Sequence, residues 1–180
     1  MKKHVAAVLV VLTSALVFDS HVDWVRQDDA PLLAVNGQRF DLHGWAAERW
    51  RQLRQDCSAL PLLPLDSADA QGGLTAIAAH SPPDSRSARG LQWQQLGDWA
   101  VAEVAFDTLN PSLVVLRQST QQGSRVWRVQ ERAVWSGSTA PWHSGQFVRR
   151  YLRQQAPEMP EALLQCVVVD PQRYRSGGVP

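Results

Sequence analysis

Lysine is all but missing from this chain. Of its 18 basic residues only Lys2 and Lys3 are lysine, so no side-chain amine remains beyond the third residue for Schiff-base chemistry. Cysteine is nearly as scarce. The two present, Cys57 and Cys166, form no CxxC, which leaves neither a redox dithiol nor a thiolate metal site with a sequence signature. There is no GxSxG and no SxxK, so Ser136, Ser138, Ser144, His80, His143 and Asp84 do not assemble into a recognisable nucleophile motif. His80 and Asp84 stand four apart, but Pro82 and Pro83 between them remove the helix that would align them on a metal, and the other histidines are scattered. No metal and no cofactor is implied. A formal net charge of +1 excludes the chain-wide basic field of a generic nucleic-acid binder. Internal repeats are absent as well.

What is present starts at the N-terminus. Lys2 and Lys3 precede an apolar run from Val5 to Phe18, interrupted only by Thr13 and Ser14, which is the layout of an export signal. Fourteen helical residues would cover about 21 Å, short of the roughly 30 Å hydrocarbon core, and this favours a cleaved signal peptide. No A-x-A triplet follows the run, and this favours an uncleaved anchor. Both readings of residues 1–18 place the rest of the chain in the periplasm or outside the cell, tethered to the inner membrane through residues 5–18 or released. Two cysteines in an exported protein are most simply one disulfide, Cys57 to Cys166.

With 180 residues, 44% of them hydrophobic and eight of them tryptophan, the chain suits a single folded domain. Residues 19–31 are polar and irregular and read as a stalk, 32–170 as the domain and 171–180 as a flexible tail. Asn36-Gly37 between two short apolar runs is a type I′ hairpin signal. Asp41 can cap a helix from Leu42 to Cys57, whose apolar stripe Leu42, Ala46, Trp50, Leu53 and Cys57 is expected to face the core. Residues 58–73 read as loop, 74–80 as a short strand and 81–90 as a proline-rich loop. The stretch 91–106 reads as one strand, covered on both faces or bulged near Gly97. With 112–120 and 124–135, the latter two split at Gly123, it makes a three-strand meander. A crossover at 136–143 leads to a helix capped by Ser144, with Phe147, Val148, Tyr151 and Leu152 on one face and Arg149, Arg150 and Arg153 opposite. Residues 162–170 read as a last strand carrying Cys166. The fold class is therefore α+β: a mostly antiparallel sheet, hairpin plus meander, with two amphipathic helices packed on it.

Function is less legible. Between Arg117 and Gln155 seven arginines stand against Glu131 alone, a net +6, which leaves about −5 for the remainder. Trp135 and Trp142 bracket the crossover and serve either as interface anchors or as plugs for the sheet end. A binding surface built from Trp135, Trp142, His143, Arg149, Arg150 and Arg153 would suit an anionic glycan or another envelope protein. The expected role is that of a non-enzymatic accessory protein of an envelope assembly machine for secretion, pili, conjugation or exopolysaccharide. The alternative is a periplasmic hydrolase of a glycan or ester, with Glu131 or His143 in its cleft. Asp98, Glu103 and Asp107 complete the candidate carboxylates.

Overall fold

The hairpin signal at Asn36-Gly37 is realised as written: both residues take positive φ, +50° and +79°, and join β2 (Ala30–Val35) to β3 (Gln38–Phe40). The computed structural model describes residues 22–27, 30–121, 123–137, 142, 144–170 and 174. The leader 1–18, His143 and nearly all of the tail lie outside the described residues. Part of the expected stalk is not irregular. Residues Val22–Gln27 form β1, antiparallel to β2, with Val25 opposite Leu32 and Trp24 opposite Leu33. Val22 and Val25 are β-branched residues that an adjacent strand can half-bury, a pairing that the polar composition of the segment concealed.

The second sheet has four strands in the order β4-β5-β6-β7, all antiparallel: β4 (Arg89–Leu96), β5 (Trp99–Ala105), β6 (Ser112–Gln121) and β7 (Ser124–Ser136). The stretch expected to be one strand is two. Gly97, at φ +60°, begins a two-residue turn that pairs Leu96 with Trp99. The register irregularities fall elsewhere, between Gly90 and Gln92 and between Val114 and Leu116. β5 is covered on both faces, as its run of apolar residues, broken only by Glu103, implies. Ala100, Ala102 and Val104 join one core with Trp93 and Ile77, while Trp99 and Val101 join another with Val148, Leu152 and Leu163. The sheet is thus the middle of three layers.

One outer layer is α2 (Ala68–His80), in place of the strand expected at 74–80 and of residues 68–73 of the expected loop, whose first part, 58–67, is loop. Ser67 caps it, its Oγ accepting from the Ala70 amide at 3.3 Å, and Asp69 lies in the first turn. The Gly72-Gly73 pair hid this helix in the sequence, because glycine costs about 1 kcal/mol in a helix interior. Packing explains Gly73. A Cβ there would lie 2.1 Å from the ring of Trp93, which is fully buried and meets Trp127 edge to face at 5.3 Å. Gly73→Ala is therefore expected to destabilise by about 1–3 kcal/mol through overpacking, against the stabilisation that helix propensity alone would give. The sign of the shift in the urea midpoint decides between the two.

The opposite layer holds α3 (Ser144–Gln155) and α4 (Glu161–Cys166). α4 replaces the last strand expected at 162–170. Ala162, Leu163, Leu164 and Gln165 are good helix formers behind Pro160 and Glu161, and the β-branched run Val167–Val169 follows where the helix ends. A short apolar run carries no periodicity that separates strand from helix. The α+β class holds: antiparallel sheets of three and four strands with four α-helices among the described residues, α1 (Leu42–Arg54) being the remaining one.

Candidate binding surface on the N-terminal lobe

α1 is packed the opposite way round from its sequence pattern. Asp41 caps it as expected, its Oδ1 accepting from the Gly44 amide at 2.7 Å. Most of the expected stripe, however, faces solvent: Leu53 is 81% exposed and Trp50 60%, Leu42 and Ala46 are exposed too, and so is the neighbouring Trp45 at 51%; of the stripe, Cys57, beyond the helix, turns inward into the disulfide. Gly44, Ala47, Glu48, Arg51 and Gln55, at helical spacing, turn toward the body. The cause is visible on α3. Arg149 belongs to the inward stripe of α3 with Val148 and Leu152 and is only 4% exposed, so its guanidinium demands a counter-charge from whatever packs against it.

Glu48 supplies that charge. One carboxylate oxygen accepts from Arg149 Nη2, the other from Arg51 Nη2 at 2.6 Å. Arg149 Nη1 also donates to the Val167 carbonyl at 3.1 Å, and Arg51 Nη1 to the Gln165 carbonyl at 2.5 Å. Burial pushes the Glu48 carboxyl up. The hydrogen bond from Arg51 and the charge and hydrogen bond of Arg149 together outweigh it, so the pKa lies below the ordinary glutamate value. Burial likewise lowers the Arg149 guanidinium, with Glu48 opposing, from a starting value so high that the group stays charged. A disulfide completes the attachment. Cys57, just beyond α1, is bonded to Cys166 at the end of α4, with Cα atoms 5.6 Å apart, as expected from the cysteine count.

Beside these ties runs an open cleft of about 580 Å³. Trp45, Gln52 and Gln55 form one wall, Leu60 to Leu62 another, and Val168 with the disulfide lies at its base. Gln94 helps shape it, its Nε2 donating to the Leu60 carbonyl at 3.2 Å. The one carboxylate on the cleft wall, Glu48, is already engaged by two arginines. Amide groups, apolar side chains and the exposed guanidinium of Arg49 are what the cleft offers a ligand.

The residues singled out in the sequence do not converge here. Trp135 is 8% exposed and plugs the sheet end, its ring 4.8 Å from that of Tyr174. Trp142 is half-buried, and His143 lies outside the described residues. Arg149 is the buried member of the ion pair, Arg150 is exposed, and Arg153 pairs with Glu161 at 2.5 Å. Phe147, expected inside, is exposed. Among the carboxylates, Glu103 is buried and accepts from the Tyr174 hydroxyl at 2.9 Å, Asp107 pairs with Arg89 at 3.2 Å, Asp98 is in the β4–β5 turn, and Glu131 is exposed on β7. None of the four lines the cleft beside α1. Among the described residues there is no group of three or more His, Cys, Asp or Glu side chains placed to hold a metal ion, and no helix long and apolar enough to cross a membrane.

No family model, no curated protein and no solved structure matches this chain. The surface on α1 was missed because an amphipathic stripe reads as core. One signal pointed to it: an arginine at position 149, in register with Val148 and Leu152, requires an acid from another element.

Proposed function

We propose that this chain is an exported accessory protein of the cell envelope, facing the periplasm and held near the inner membrane, that works by binding another envelope protein and not by catalysis. The Cys57–Cys166 bond carries the reading. A lone pair of cysteines, 109 residues apart in sequence and joined in the fold, belongs to a compartment where disulfides persist, and the lysine-headed apolar leader supplies the route there. The cleft beside α1 supports the binding role. Its apolar walls and amide groups suit an extended protein segment, and Arg49 at its edge can meet a carboxylate or carbonyl of that segment. The machine it serves would be one of secretion, pilus, conjugation or exopolysaccharide assembly.

A reporter phosphatase that folds only in an oxidising compartment, fused after residue 30, is expected to be active. A photo-cross-linking residue at Leu62 is expected to yield a discrete protein adduct in cells. A cytosolic reporter overturns the compartment, and a silent cross-linker over an active reporter overturns the binding role.

A further inference from the structure

The outer face of α1 needs an occupant. Leu42, Ala46 and Leu53 form its ridge, Trp45 and Trp50 flank it, and all five are exposed. Every exposed charged side chain of α1 is basic: Arg49 stands within the ridge and Arg54 stacks over Trp50, its guanidinium carbon 5.1 Å from the ring. Tryptophan at the flanks with arginine between is the composition of a helix lying in a membrane interface, where indoles sit at head-group level and long basic side chains reach the phosphates.

Position in the chain points the same way. Only three residues separate Phe18, the end of the apolar run, from Val22, where β1 starts. The strand register then sets Trp24, Leu33 and Phe40 in one row across the sheet, a span of about 10 Å at the usual strand spacing. Leu42 follows two residues after Phe40. A leader held in a bilayer therefore delivers the start of α1 to the surface of that bilayer. Trp24, at the far end of that row, is 63% exposed.

We propose that the outer face of α1 lies in the head-group region of the membrane that holds the leader, Trp45 and Trp50 at the acyl boundary and Arg49 and Arg54 on anionic lipid phosphates. The inference rests on the exported, anchored reading for its placement and goes beyond it by assigning a second membrane contact within the folded domain. A second copy of the chain fits the same face less well, because a two-fold pairing along the ridge sets Arg49 against its own equivalent. The packing of α1, set by its ion pairs to the body, leaves its apolar stripe free to meet lipid.

The test uses the full chain reconstituted in vesicles of mixed zwitterionic and anionic phospholipid with bromine on the acyl chains. Trp93, Trp99, Trp127 and Trp135 are buried in the protein and stay bright, so quenching reports the exposed indoles. The W45F/W50F variant is expected to co-sediment with the vesicles as the wild type does and to lose about two thirds of the quenching, two of the three exposed indoles being gone and Trp24 remaining. W142F is expected to lose none. L53D, an exposed position whose change leaves the core intact, is expected to reduce quenching in the same way without releasing the chain. Equal quenching in wild type and W45F/W50F, with both in the pellet, overturns the contact and leaves the anchor standing. A cross-linked dimer through α1 with unquenched Trp45 and Trp50 overturns it in favour of a second copy. Failure of the wild type to sediment overturns anchor and contact together.

Discussion

Reduction of the Cys57–Cys166 bridge is expected to cost about 4 kcal/mol of stability and to lower the melting temperature by on the order of 10 °C. The bridge closes a loop with a sequence separation of 109, so its absence restores considerable freedom to the unfolded chain. Its position enlarges the consequence. The inward face of α1 holds Gly44, Ala47, Glu48, Arg51 and Gln55, and therefore buries little apolar surface to hold the lobe once the bridge is gone. Local opening is expected to precede global unfolding. In the reduced protein, trypsin is expected to cut after Arg49, Arg51 and Arg54 before it cuts in β4–β7. Equal melting temperatures with and without reductant, or cleavage that starts in the four-stranded sheet, would show that the lobe is held by something other than these ties.

Glu48→Ala is expected to cost about 3 kcal/mol, because it leaves the Arg149 guanidinium buried without its counter-charge. A double variant that also carries Arg149→Met is expected to lose less than the sum of the two single changes, since the uncompensated charge goes with its partner. The pH dependence has a defined sign. The folded-state pKa of Glu48 is depressed, so the native state holds the anion more tightly than the unfolded chain does. That contribution is complete above the unfolded value of about 4.3 and is lost as pH falls through the lower folded value. The gap in urea midpoint between wild type and Glu48→Ala is therefore expected to be widest near neutrality and to narrow as pH falls through the lowered folded-state value, where the wild type protonates too. A gap that stays constant over that range would mean that the lost stability is packing and not charge. Glu161 is also lowered, first by its hydrogen bond from Arg153, but this pair is exposed and contributes little.

Much of the fold is written locally. Asn36-Gly37 dictates a hairpin because both positions need positive φ, Asp41 dictates the start of α1, and the apolar run of β5, broken only by Glu103, dictates a strand covered on both sides. The cysteine count leads to the bridge by the same kind of local reasoning. Where expectation and structure part, the deciding partner lies on another element. Gly73 sits in a helix because Trp93 takes the space of its side chain, and β1 is a strand because β2 is beside it. α4 is a helix where the sequence suggested a strand, since a short apolar run fits either state until its neighbours are known.

The candidate site was the least legible part for the same reason. Trp135 and the arginines of α3 suggested a surface, yet Trp135 fills the sheet end and Arg149 is drawn inward by Glu48, 101 residues away. Hydrophobic periodicity tells which residues of a helix share a face, not which face meets the protein. By itself the sequence determined the α+β class, the hairpin, the capped start of α1 and the pairing of its two cysteines. Only the tertiary structure decided that α1 turns its charges inward and its tryptophans out, because that orientation is set by the energy of burying one arginine next to one glutamate, a quantity that no single segment contains.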